Sequence, residues 1–162
     1  MKTIQDKVDR LFYNNKFLNK IDIAITSWMK KYGVLICRIS LAIIFIWVGI
    51  LKPIGVSAAN ELVTKTVYWF HPAWFIPLLG WWEVLIGVCL LYKPLIRLGI
   101  LLMALQMGGT FLPMILLPDI VYGSHWYVLT LEGQYIVKNL ALISAAIVIG
   151  SQVRDDKKTK KK

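Results

Sequence analysis

Four runs of about 20 residues, 32–51, 73–92, 95–117 and 128–150, are apolar almost throughout, and they constrain the fold more than anything else in the chain. At about 1.5 Å per residue, each makes a helix of roughly 30 Å, the thickness of a bilayer's hydrocarbon layer. With 57% hydrophobic residues and a mean hydropathy of +0.61 over 162 residues, too little polar surface remains to coat a soluble globule. The expected architecture is an all-α membrane protein, a four-transmembrane-helix bundle. No internal repeat and no Gly-, Ser- or Pro-rich linker interrupts residues 32–150, so they are read as one membrane domain.

The formal charge of +10 would suggest a nucleic-acid partner in a soluble protein, but its distribution argues otherwise. Seven Lys/Arg lie in residues 1–31, two in the connection 92–97 and six in 154–162, whereas the connection 117–128 has none. By the positive-inside rule both termini and the middle connection are cytoplasmic, and the loops 52–72 and 118–127 face the other side. The basic tail, 151–162, then serves topology and contact with anionic lipid, and nucleic acid is not expected.

Residues 1–31 do not read as a cleaved signal peptide, because charges recur through them and no long apolar core precedes Tyr32. Ile4, Val8, Leu11, Phe12, Leu18, Ile25, Trp28 and Met29 recur mostly at helical spacing with lysines between them. That pattern predicts an amphipathic helix on the cytoplasmic membrane face, and a partly ordered tail is the alternative. In the first outer loop, Ser57 is placed to cap a short helix that runs to about Trp69, and His71-Pro72 ends it. Tyr68, Trp69, Phe70, Trp74, Trp81 and Trp82 form an interfacial aromatic belt or, alternatively, part of a ligand cage under this loop.

Inside the apolar runs sit Arg38, Glu83, Gln106, Glu132, Lys138 and Asn139. A charge at mid-membrane costs roughly 2.5–3.5 kcal/mol on insertion scales, so each is a candidate for pairing or function. Helical phase puts Glu83 on one face with Gly80 and Gly87, and places Gln106 with Gly109, Thr110 and Pro113. Arg38, Phe45, Gly49 and Lys52 share a face of the first span. The fourth carries two polar faces, Gln134 with Lys138 and Glu132 with Asn139. Counted from the outer ends of the spans, Glu83 and Lys138 both lie roughly 15 Å deep with Gln106 level with them, which predicts a Glu83–Lys138 cluster at the midplane. Glu132 falls near Lys52 about 6 Å below the outer edge, and Arg38, about 9 Å above the inner edge, can reach Glu83 or snorkel to the cytoplasm. The alternative for all of them is a structural ion-pair network.

The run RISLAIIFIWVGILK at 38–52, Glu61, WEVLIGVCLL at 82–91, TFLP at 110–113 and EGQYIVKNLALI at 132–143 resemble the DoxX superfamily, nearest to its YkgB-like branch, which is associated with reactive-chlorine resistance. The resemblance covers Arg38 to about Gly150, with the ordered series Arg, Gly-x-x-Lys, Glu-x-x-x-Gly and Lys-Asn/Asp. It implies a multi-pass protein of the bacterial inner membrane. Some such proteins are subunits of a thiosulfate:quinone oxidoreductase, and others are linked to thiol and oxidative-stress defence. The family's polar positions fall on Arg38, Lys52, Glu61, Glu83 and Lys138.

A redox role would need help from outside the chain. The two histidines, His71 and His125, are in outer loops rather than at membrane depth, and there is no cysteine cluster and no dinucleotide-binding glycine motif, so haem, iron–sulfur and metal sites are not expected. A quinone remains as the cofactor to expect, with Glu83 and Lys138 as proton-handling groups and Arg38, Lys52, Glu61, Gln106, Thr110, Glu132 and Asn139 as ligand-binding candidates. Cys37 and Cys89 both fall in the cytoplasmic third of their helices and are read as packing residues, with a dithiol switch as the alternative.

The leading function is therefore a membrane subunit that binds a quinone or another lipophilic molecule and assists a membrane or peripheral redox partner. A non-catalytic assembly or chaperone protein and a small-solute or proton transporter are the alternatives, and homo-oligomers are left open. The lysine asymmetry makes a direct prediction about topology. In cells with intact membranes, an impermeant thiol reagent should label single cysteines introduced at 57–65 and 119–124 and spare those at 154–162. Labelling of the tail would reverse the orientation.

Overall fold

The computed structural model describes residues 15–153. The first part of the expected amphipathic segment, 1–14, and the basic tail, 154–162, lie outside the described residues. The chain is an all-α four-helix membrane bundle, with four helices long and apolar enough to cross a membrane: Lys16–Ile54, Pro72–Leu91, Lys93–Leu116 and Leu131–Gln152. Its outward surface is apolar where a soluble protein's would be polar. Trp47, Leu105 and Ile147, all mid-helix, are 68%, 62% and 66% exposed, a surface that fits lipid.

Helix α1 comprises Lys16–Ile54. Asn15 starts it by accepting a hydrogen bond from the Phe17 N–H (3.1 Å). Taken by itself, the stretch 16–36 is amphipathic. Leu18, Ile21, Ile25, Trp28 and Tyr32 follow one another at spacings of three and four, with Lys16, Lys20 and Lys30 away from that stripe, and all are exposed. The C-terminal end of α1 has two causes. Pro53 lacks the N–H that the Gly49 carbonyl would accept, and Gly55 adopts φ 86°, which lets Gly55 N–H bond Lys52 O (3.0 Å) and Val56 N–H bond Leu51 O (3.2 Å). Lys52 is thereby held in the last turn, where the helix dipole favours a cation.

After the turn, α2 (Asn60–Thr66) is the short helix of the first loop; it stops before the expected Trp69, and Ala59 rather than Ser57 stands at its cap, with Ser57 Oγ accepting from the Ala59 N–H (3.3 Å). It packs on α3 and on the end of the third span. Helix α3 (Pro72–Leu91) opens with His71 as its cap and Pro72 in its first turn. A 3₁₀ turn, Lys93–Leu95, leads into α4 (Ile96–Thr110), and after a break before Pro113 the third span finishes as α5 (Pro113–Leu116). Short α6 (Pro118–Val121) and α7 (Leu131–Gln152) complete the chain. Thr130 ties α7 to the preceding loop, since its hydroxyl donates to Ile120 O (2.6 Å) while accepting from Gly133 N–H (3.2 Å). Among the described residues there is no strand, and Tyr122 and Leu129 form one isolated antiparallel bridge.

Helices α1 and α3 meet backbone to backbone. A β-carbon added to Gly49 would lie 2.7 Å from the Gly80 carbonyl oxygen, one on Gly80 would lie 2.6 Å from the Gly49 oxygen, and one on Gly87 would lie 2.7 Å from Ala42 O. Small residues at this seam let main chains approach as larger ones cannot. Helix α4 packs on the neighbouring face of α3, where Gly99 lies against Cys89 and Ile86, and α7 packs on α4, with Gly150 against Ile100. Gly49→Ala should therefore lower thermal stability in detergent by about 1–3 kcal/mol despite alanine's better helix propensity. Gly108→Ala, whose added carbon meets nothing within 4 Å, should be neutral or slightly stabilising. Equal stability of wild type and Gly49→Ala would show that the two backbones stand further apart.

Candidate functional site

Helices α1 and α3 run antiparallel, and Gly49 and Gly80 each leave room for the charged residue of the other helix: a β-carbon on Gly80 would lie 2.9 Å from Lys52 Cβ, and one on Gly49 would lie 2.9 Å from Glu83 Cβ. Lys52 projects from the last turn of α1 and Glu83 from the middle of α3, and Lys52 Nζ donates to Glu83 Oε2 in a buried ion pair, the two residues being 4% and 7% exposed. The second carboxylate oxygen is taken by α4, where Gln106 Nε2 donates to Glu83 Oε1 (2.6 Å). Beside them Trp82 Nε1 donates to the Leu102 carbonyl (3.3 Å), a second polar tie between α3 and α4. Thr110, one turn beyond Gln106, donates its hydroxyl to the Gln106 main-chain oxygen (3.2 Å).

Three helices thus converge on one carboxylate. Glu83 is about 12 Å from the nearer end of α3, too deep for its short side chain to reach water, so the ammonium and the amide compensate its burial. One polar atom of the cluster stays unmatched. Gln106 directs its N–H at Glu83, and its own side-chain carbonyl oxygen, Oε1, is buried with no hydrogen-bond partner among the described residues. The arrangement can hold a proton on a carboxylate, pass it to a neighbour, and present an acceptor to a bound group.

The expected partner of Glu83 was Lys138, and here the structure differs. Lys138 is exposed on α7 with its Nζ 4.9 Å from the centre of the Tyr135 ring, and Glu83 is held by Lys52 instead. Counting depth from span ends treats all helices as starting level. Helix α1 stops beside Gly80, two turns inside the start of α3, which carries Lys52 inward from the edge where counting put it, beside Glu132. Glu132 is exposed in the first turn of α7, a position the helix dipole favours, and has no salt-bridge partner among the described residues.

The remaining candidates lie outside the cluster. Asn139 Nδ2 donates back to Tyr135 O (3.3 Å) on its own helix. Arg38 does not pair with Glu83; it is half-buried, and its Nε is buried without a partner among the described residues. Glu61 forms an exposed i,i+4 pair with Lys65 (2.6 Å), and that hydrogen bond and charge hold its carboxyl below the ordinary range. Its small contribution is present at neutral pH and lost as pH falls through the carboxylate range. Cys89 is buried against Gly99, Cys37 is half-buried, and both are free thiols. Trp82 was assigned to the interfacial belt with Trp81. Trp81 is 60% exposed, but Trp82 is half-buried and bonded to α4, and its place directly before Glu83 in sequence was the available signal.

No family model, no curated protein and no solved structure matches the chain.

If Lys52 and Glu83 form the central pair, Glu83→Ala should strand a buried ammonium and cost about 3–5 kcal/mol, measured as unfolding in detergent. Adding Lys52→Ala should then cost less than it does in the wild-type background, with a coupling of about 1–3 kcal/mol. Lys138→Ala should add independently of Glu83→Ala. Additive losses for Lys52 and Glu83 would count against the pair.

Proposed function

We propose that this chain is a DoxX-like protein of the bacterial inner membrane, with both termini cytoplasmic, and that its Lys52–Glu83–Gln106 cluster binds the ring of a quinone-class molecule. In this reading a membrane or peripheral partner protein exchanges electrons with the ring, and Glu83 exchanges a proton with it. Reduction of the ring takes two electrons from the partner and two protons, and the chain's part is to bind the ring and carry a proton to a ring oxygen.

The observation that carries the reading is the buried ion pair joined to an amide at mid-span. It unites two of the motifs on which the resemblance rests, since Gly49-x-x-Lys52 and Glu83-x-x-x-Gly87 lie face to face with their glycines at the helix seam and their charges paired. A pair placed only to lock helices would need no unmatched acceptor beside it, and Gln106 Oε1 is such an acceptor. The counts of Lys and Arg support the orientation.

Purification in native lipid followed by mass spectrometry should recover a quinone with the wild-type protein. Glu83→Gln keeps size and hydrogen-bonding capacity, so it should express and fold while quinone-linked activity, or protection against oxidants, falls by about 10²-fold or more. A fully active Glu83→Gln protein would remove the proton-carrying role. Absence of any bound quinone, together with no binding of an added one, would remove the ligand.

A further inference from the structure

The unmatched acceptor also bears on which form of the ring the site holds. Each oxygen of Glu83 accepts one hydrogen bond, Oε2 from Lys52 and Oε1 from Gln106 Nε2. An amide that gives its N–H to a carboxylate must turn its carbonyl the other way, so the orientation of Gln106 follows from the charge of its neighbour. Its Oε1 is then a buried acceptor with no donor among the described residues. A buried acceptor left unpaired is costly, and a ligand that supplies a donor recovers that cost.

We infer that Gln106 Oε1 is the recognition point for a hydroxyl donor, so that the site prefers a lipophilic hydroquinone to the corresponding quinone. The inference rests on the reading of the cluster as a quinone-class site. A ring hydroxyl donates one hydrogen bond and accepts another. It can satisfy Gln106 Oε1 with its O–H and still accept from the Lys52 ammonium, whose three N–H groups are not exhausted by Glu83. A ring carbonyl can accept from Lys52, but it sets oxygen against oxygen at Gln106. The difference is one buried hydrogen bond made or missing, which corresponds to about tenfold in affinity. For a two-electron couple, tenfold tighter binding of the reduced form raises the bound ring's potential by about 30 mV and makes it easier to reduce in the site than in the bilayer.

The test uses the full-length protein in lipid nanodiscs under anaerobic conditions and three probes with the same decyl-substituted ring: the benzoquinone, the hydroquinone and the hydroquinone dimethyl ether. The hydroquinone should bind about tenfold or more tightly than either of the others, because the ether keeps the ring and its oxygens but has no O–H to give. In Gln106→Leu that preference should fall to about one. Equal affinity for hydroquinone and ether in the wild type, or a preference that survives Gln106→Leu, would overturn the inference while leaving a quinone-class site in place. If none of the three binds, the quinone reading falls and this inference falls with it. The wild-type comparison stands alone should Gln106→Leu fail to fold.

Discussion

The approach of α1 to α3 at Gly49 and Gly80 governs the rest of the molecule. Side chains larger than glycine at those positions would drive the helices apart by the width of a methyl group or more, and Lys52 and Glu83, each lying over the other helix's glycine, would no longer meet in the same way. The dependence also runs in the other direction. Helices in lipid gain nothing from hiding apolar surface from apolar solvent, so a polar tie at their crossing adds specificity that greasy contacts cannot supply. Close packing sets the distance of the ion pair, and the ion pair helps select this register over others that would bury equally apolar stretches.

The polar network extends from that crossing to the third span through groups with different capacities. A carboxylate can accept several hydrogen bonds, an ammonium can only donate, and an amide must do both. Set in a row, they leave the amide's acceptor at the end of the chain of bonds. The indole of Trp82 ties α3 to α4 through a main-chain carbonyl, so that α4 does not rely on Gln106 alone to stay beside Glu83. A site whose walls are held by separate bonds can change its ligand without losing its architecture.

Much of this was legible in the sequence, and the exceptions have physical causes. The four spans follow from hydropathy and length, and the inward direction of Glu83 follows from Gly80 and Gly87 on its face. Gln106 was correctly placed at the level of Glu83. Helical phase says which way a side chain points on its own helix, but it does not say which neighbour stands there, and so depth alone points to Lys138 where packing supplies Lys52 as the counter-charge. Pro53, which cannot continue a helix, marks the end of α1 in the sequence, and the positive φ of Gly55 completes the turn. What no local pattern revealed is that this end lies beside Gly80, because a register between two helices is a property of their packing and not of either sequence alone.

The contrast between Glu83 and the cations outside the cluster shows how a bilayer sorts its charges. Lys138 and Arg38 carry their charge on long flexible stems. Lys138, seven residues into α7, lays its ammonium over the ring of Tyr135, three residues nearer the helix start, in the direction a snorkelling lysine takes. A glutamate near the middle of a span has no such reach. Its charge must be answered where it stands, by groups brought from other helices, and this makes a mid-span carboxylate a stronger marker of a built site than a lysine or arginine at similar depth. In this chain that carboxylate is Glu83, and the two side chains that answer it, Lys52 and Gln106, come from the two other helices packed on its own, α1 and α4.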